Sequence, residues 1–414
     1  MQAIRSAALL LAFVLAGMPA REALAQPAES SKKAAPKEND DLTPMAFFVA
    51  KGEANVCGPG CSEWIAADGF MDSLAPERLR ALLDRLGKRK LPIYFHSPGG
   101  IVSGGIKIGR MMRERGMTAG VARTIPTGCD HRIDREAACE KLKRSGRELL
   151  ADLRTVDTLC NSSCVYALLG ATVREVTAGA RIGVHAIAVA VIDKKSGQMK
   201  TRATTETLLH REAASIKFVN TEVAKYVTEM GIDRGLYEAA AEIQHERLRY
   251  ISRDEIARFG IDRREFHESR WVVHEGPRGP FVVVKFATEA RGEPKRYRTI
   301  KIELGCLRSG DVRVTFSREI AQGDKAGSIA VSAHGGDFVL PPRRGKPISG
   351  YNDIEMEDRF ARVPIAFFRD AASGDTIELT EAPDLSALDK PPTRLRLSTA
   401  GLKSAIAVLA QRCQ

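Results

Sequence analysis

The spacing of apolar residues changes character along the chain and divides it into three parts. From Met45 onward, short apolar runs alternate with stretches whose apolar residues recur every three or four positions. Residues 46–50, 64–67 and 91–95 read as strands. Residues 76–86, with Leu79, Leu82, Leu83 and Leu86, read as an amphipathic helix, as do 102–115. Residues 117–123 are strand-like again, 160–169 read as a turn entering a helix, and 181–191 as a buried strand crossing His185. A long helix over 204–227 and a shorter one over 233–243 follow. A short strand at 250–252 and a helix over 254–259, stopped by Gly260, complete the series. Strands alternating with helices predict parallel βα units and an α/β sheet. After Ser269 the period becomes two, over 271–274, 281–286, 297–304, 312–316 and 328–332, with Gly- and Pro-rich turns between. That texture predicts a β-rich sandwich or barrel-like domain over 269–414, ending in a helix over 399–411.

The N-terminal residues follow neither pattern. Arg5, the apolar run 7–16 (AALLLAFVLA) and Ala23-Leu24-Ala25 have the layout of a secretory signal peptide over 1–25, with the mature chain starting near Gln26. A buried helix or membrane anchor is the rival reading; Pro19, Arg21 and Glu22 break the run, and it is too short to span a bilayer. Residues 26–44 are charged and poor in apolar groups, so they read as a disordered linker before the α/β domain at 45–268. Within that domain, 125–156 is a polar insertion predicted to project from the fold. No later segment approaches transmembrane length, and the protein is expected to be periplasmic or secreted.

Composition refines this picture. At 414 residues and 44% hydrophobic, the chain can bury two separate cores. A formal charge of +11 permits contact with anionic surfaces. Aromatics are only 6%, and no basic stripe is interleaved with stacking residues, which argues against nucleic-acid binding. Eight cysteines in an oxidising compartment suggest disulfides. Their order suggests Cys57 with Cys61, Cys129 with Cys139 and Cys306 with Cys413, which leaves Cys160 to Cys164; pairing of Cys160 with Cys139 is an alternative. The spacings are not those of a zinc site, and neither a metal nor a cofactor is implied.

Three local features carry candidate chemistry. Ser97-Pro98-Gly99-Gly100 lies between a strand and a helix, where paired glycines let amides line a cleft; a tight turn has the same composition. Cys160-Asn161-Ser162-Ser163-Cys164 leads into an apolar helix, where Ser163 could expose its hydroxyl as a nucleophile or serve as a helix cap. His185 follows 22 residues after Ser163 inside an apolar stretch, as a general base or a buried structural imidazole. Cys164, if free, would be a second nucleophile candidate.

In their order and spacing these features resemble the proteolytic subunit of Clp protease and its relatives of the ClpP/crotonase superfold. The shared motifs are His96-Ser97-Pro98-Gly99-Gly100, Ser163 within N-S-S-C, His185 within I-G-V-H, Glu246 to Ser252 (ERLRYIS) and Phe259-Gly260-Ile261-Asp262. The resemblance covers about residues 45–265 and is greatest to a periplasmic branch in which cysteines flank the serine. It implies Ser163 as nucleophile, His185 as base, and an oxyanion hole from the N–H of Gly99 or Gly100 with that of Cys164. The family's acid falls at Leu248, which cannot orient an imidazole; Glu246, two residues away, is the candidate substitute, with His245 a further one, while Asp254 and Glu255 read as helix-start acids. Two functions compete: an ATP-independent serine peptidase acting on peptides or unfolded segments, and a binding scaffold that kept the fold and lost the acid. Acyl-CoA chemistry ranks below both outside the cytoplasm. Relatives of this fold form rings or trimers, which implies a homo-oligomer.

Overall fold

A computed structural model describes residues 43–129, 135–192, 199–202, 210–275, 281–292, 295–307, 310–320, 327–342, 348–349, 355–382 and 393–412. The expected signal peptide, nearly all of the linker and Cys413 lie outside the described residues. In chain order the first part contains β1 (Ala46–Lys51), β2 (Glu63–Asp68), α1 (Ala75–Leu86), β3 (Ile93–His96), α2 (Val102–Glu114), β4 (Thr118–Val121), β5 (Arg123–Pro126), α3 (Ala137–Lys143), β6 (Leu149–Arg154) and β7 (Thr158–Asn161). It continues with α4 (Ser163–Leu169), β8 (Val173–Glu175), β9 (Ala180–Val184), β10 (Val189–Ile192), β11 (Met199–Arg202), α5 (His210–Glu229), α6 (Gly235–Ala241), β12 (Arg249–Tyr250) and α7 (Arg253–Arg258).

The main sheet has the order β5-β6-β1-β2-β3-β4-β8. Within it β2, β3, β4 and β8 are successively parallel, as the alternation of strands and helices predicts. A smaller sheet, β12-β9-β7, has β7 and β9 parallel, and a bridge from Ser97 to Cys160 joins it to the end of β3. The helices form because their apolar stripes find a core. Leu79, Leu82 and Leu83 of α1 are buried, and Pro76 sits in the first turn, where its missing N–H costs nothing. Between α2 and α4 the contact is close enough to require glycine: a Cβ on Gly105 would stand 2.2 Å from the carbonyl oxygen of Ser163. That proximity fixes α4 against the helix that follows the Ser97–Gly100 turn.

Two expectations are corrected. The segment 125–156 does not simply project: β6 pairs parallel with β1 and antiparallel with β5, extending the sheet. Leu149, Ala151 and Leu153 alternate inward to a second core with Phe48, Trp64 and Tyr94, a period-two signal diluted by the charged residues around it. The same insertion is anchored through α3, whose buried Lys143 pairs with Asp68 at the end of β2. Nor does a strand cross His185. β9 ends at Val184, residues 185–188 are irregular, and β10 and β11 form a separate hairpin.

Beyond residue 265 the chain is strand-rich. Phe281–Arg291, Arg296–Cys306, Asp311–Ile320 and Glu355–Pro364 pair antiparallel in succession, and Gly336–Leu340, Ile329–Ala333, Thr376–Glu381 and Thr393–Ser398 form a second antiparallel sheet. Apolar residues of both sheets and of the helix Leu402–Arg412 share one core. Buried Arg318, Arg359 and Glu357 form ion pairs that reach half-buried Glu381 of the second sheet, two positive charges against two negative. Phe266–Glu268 already pairs with Phe281–Arg291, so the strand-rich part begins slightly before the expected boundary. Disulfides join Cys57 to Cys61, Cys129 to Cys139 and Cys160 to Cys164. Cys306 is also disulfide-bonded; the partner expected for it, Cys413, lies outside the described residues. No helix of the described residues is long and apolar enough to cross a membrane.

Candidate active site

Three turns leave one edge of the fold side by side. β7 and β9 run parallel with Asn161 opposite Gly183, and Ser97 bridges to Cys160, so residues 97–100, 161–163 and 184–186 all follow the carboxyl ends of neighbouring strands. In α/β proteins that edge is where ligands gather, because the loops there are free to carry chemistry while the strands hold them fixed.

The middle turn is strained. Ser162 has φ 54° and ψ −119°, a conformation comfortable only for glycine and costing about 1–3 kcal/mol in any other residue. Hydrogen bonds over-determine it. The Ser162 N–H donates to the Gly183 carbonyl at 2.8 Å, the Asn161 N–H to the Ser97 carbonyl at 3.1 Å, and the Val165 N–H to the Ser162 carbonyl at 3.0 Å. The buried Cys160–Cys164 disulfide closes the same turn, with Cα atoms 5.3 Å apart. A serine held at positive φ between a strand and a helix is the geometry of a nucleophile elbow.

The residue on that elbow is Ser162, which is half-buried. Ser163, the serine to which the sequence points, is the first residue of α4. It is fully buried, and its Oγ has no hydrogen-bond partner among the described residues. The preceding Asn161 is also buried with an unpartnered Oδ1. Adjacent serines in N-S-S-C are indistinguishable by residue type. The distinguishing signal is the backbone angle, which depends on bonds to Gly183 and Ser97.

The glycines meet this elbow. Gly99 has φ 111°, and a Cβ there would stand 2.8 Å from the Cβ of Ser162, so only glycine lets the two turns touch. Its N–H is engaged, donating to Ser97 Oγ at 3.1 Å. Gly100 has φ 145°, and a Cβ on it would strike the Met71 carbonyl oxygen at 2.3 Å. The N–H groups of Gly100, Ser163 and Cys164 have no acceptor among the described residues. With Ser162 on the elbow, the amide of the next residue is that of Ser163, one position before the Cys164 amide expected from the sequence.

His185 follows β9 directly and is half-buried. Its Nδ1 lies 2.8 Å from the carbonyl oxygen of Ala186; as an N–H donor there, it leaves Nε2 with the lone pair a base needs. Burial pushes the imidazole below its ordinary pKa. The hydrogen bond to Ala186 opposes that shift, nearby His245 adds to it, and Glu246 opposes it weakly. Burial thus favours the neutral ring.

No carboxylate among the described residues holds His185. Leu248 is partly exposed and packs against the strand, its Cδ2 2.9 Å from where a Cβ on Gly183 would lie. Glu246 is exposed and makes no hydrogen bond to His185; it acts only as a nearby charge. Glu255 is used by the capping box at the start of α7 and by Arg249, and Asp254 accepts from the N–H of Tyr297 at 2.7 Å. A cavity of about 540 Å³ lies away from these turns, lined by Arg154, Arg270 and Trp271 among others, and contains none of the candidate catalytic groups.

Neither a protein-family model nor a curated protein matches the chain. Among solved structures, a ClpP1 variant from Listeria monocytogenes is similar at 15% identity over 47% of this chain and 85% of its own, with a TM-score of 0.28. Two structures of a membrane-bound stomatin-specific protease, 1510-N, are similar at 12% and 11% identity. They cover 48% of this chain in each case and 75% and 71% of their own, with TM-scores of 0.28 and 0.29; the second holds a substrate peptide.

Proposed function

We propose that this protein is a serine hydrolase of the Clp-protease/crotonase kind, exported to the periplasm, that cleaves peptide bonds in peptides or unfolded segments without ATP. Ser162, rather than Ser163, is the nucleophile in this reading. Its Oγ attacks the acyl carbon while His185 Nε2 takes the proton, and the amides of Gly100 and Ser163 receive the oxyanion. His185 then returns the proton to the departing amine. Water, deprotonated by the same imidazole, then attacks the acyl carbon; the bond to Ser162 Oγ breaks and His185 returns the proton to that oxygen. Three disulfides among the described residues support an oxidising compartment.

The observation that carries this reading is the strained φ of Ser162 beside Gly99 and one strand from His185. A competing reading, a scaffold that kept the fold without activity, is favoured by Leu248 where an acid is wanted. Replacing the acid of a serine-protease triad lowers turnover by about 10⁴-fold but leaves measurable catalysis. Labelling with a fluorophosphonate probe separates the two, read by intact mass. The hydrolase reading expects one adduct on the wild type, none on Ser162→Ala and an undiminished one on Ser163→Ala. A folded wild type that takes no label establishes the scaffold instead.

A further inference from the structure

The segment that enters β12 passes alongside His185. The Ala186 N–H donates to the carbonyl of Ile243 at 2.8 Å, tying the two stretches together. The Ala186 carbonyl then serves two imidazoles: His185 Nδ1 lies at 2.8 Å and His245 Nδ1 at 3.2 Å. The rings meet edge to face, with centroids 4.6 Å apart and planes at 67°. Both rings can therefore donate from Nδ1 to one oxygen, leaving both Nε2 atoms as acceptors. Among the described residues, the titratable groups that face His185 are His245 and Glu246, and of these only His245 touches it.

We infer that His245 is a positioning residue for His185, taking through the shared Ala186 carbonyl and its ring edge the orienting role that Leu248 cannot fill. The inference deepens the hydrolase reading and rests on His185 being its base. A carboxylate would both orient an imidazole and stabilise its cation. The contact with His245 orients without stabilising, because an imidazole edge offers no negative charge to the cation that forms on His185.

Selective ¹⁵N-histidine labelling tests this without reference to activity, with the His185 signals assigned from a His185→Gln variant. In the wild type His185 is expected as the Nδ1–H tautomer, held by the Ala186 carbonyl and the edge of the His245 ring. Replacing His245 by Ala is expected to release the ring, mixing the tautomers and moving the His185 midpoint upward. His245→Asn keeps an N–H donor for Ala186 and is expected to preserve the tautomer. In probe labelling, His245→Ala is expected to slow the rate about ten-fold, a part of the roughly 10²–10⁴ a general base contributes. His245→Asn recovers most of that loss. A His185 tautomer and titration unchanged in folded His245→Ala overturns the inference, whatever the labelling shows. Absence of labelling in the wild type overturns the hydrolase reading, and the imidazole spectra still decide the role of His245.

Discussion

Replacing Ser162 by glycine is expected to stabilise the protein while removing its proposed nucleophile. The native φ of 54° with ψ −119° costs a residue with a Cβ about 1–3 kcal/mol. Glycine recovers that cost but loses about 0.5–1 kcal/mol through the greater freedom of its unfolded chain. The Ser162 side chain is half-buried and has no hydrogen bond among the described residues, so little else is lost. The net expectation is a gain of about 1 kcal/mol, within a range of roughly 0–2. Ser162→Ala keeps the Cβ and the strain and should lie within about 0.5 kcal/mol of wild type. Urea unfolding at constant m, with the disulfides intact, measures the difference between the two variants directly. A gain of 1 kcal/mol corresponds to a midpoint rise of about 2–4 °C in a domain of this size. Ser162→Gly less stable than Ser162→Ala by 1 kcal/mol or more would show that the turn stores no strain. Ser163→Ala belongs in the same series: removing a buried, unpartnered hydroxyl should be neutral or stabilising.

Two further outcomes follow from buried charge. His267 is buried beside Arg253, and burial first, then that guanidinium, holds its pKa down to about 4. Because the folded state prefers the neutral ring, stability is complete above pH 6.5 and falls as the pH drops from 6.5 to about 4. The loss from this residue is on the order of 3 kcal/mol. Urea midpoints at several pH values should show that slope, and His267→Gln should flatten it; a wild type without the slope would refute the assignment. Asp262, held below its ordinary pKa chiefly by Arg264 against its burial, loses its share only below pH 3.8. In the strand-rich part, Glu357→Gln leaves Arg318 and Arg359 buried with Glu381 as their carboxylate and should cost about 3–5 kcal/mol. Trp271 lies in that core and Trp64 in the other part, so fluorescence in a Trp64→Phe background reports the loss; an unchanged midpoint would mean the ion pairs are not coupled to folding.

Much of this architecture was legible in the order of residues because the information is local. Leucines at helical spacing placed α1, the change to a period of two announced the strand-rich part, and short cysteine separations matched three disulfides. Glycines in Ser97-Pro98-Gly99-Gly100 marked a place where a backbone must approach closely, and Gly99 meets Ser162. The place of β6 in the sheet is hidden in the sequence because it alternates apolar and polar over only six residues among many charges, too short a stretch to outweigh its surroundings.

What composition and spacing settled, then, was which segments are strands or helices and which turns are tight, since each is decided by a few consecutive residues. Which of two adjacent serines stands on the elbow was decided elsewhere, by carbonyls of Gly183 and Ser97 that lie far from it in the chain and hold its backbone at positive φ. The same is true of His185, whose partners Ala186 and His245 meet only once β9 and β12 have paired. A side chain's neighbours across strands are set by register, and register is a property of the folded sheet.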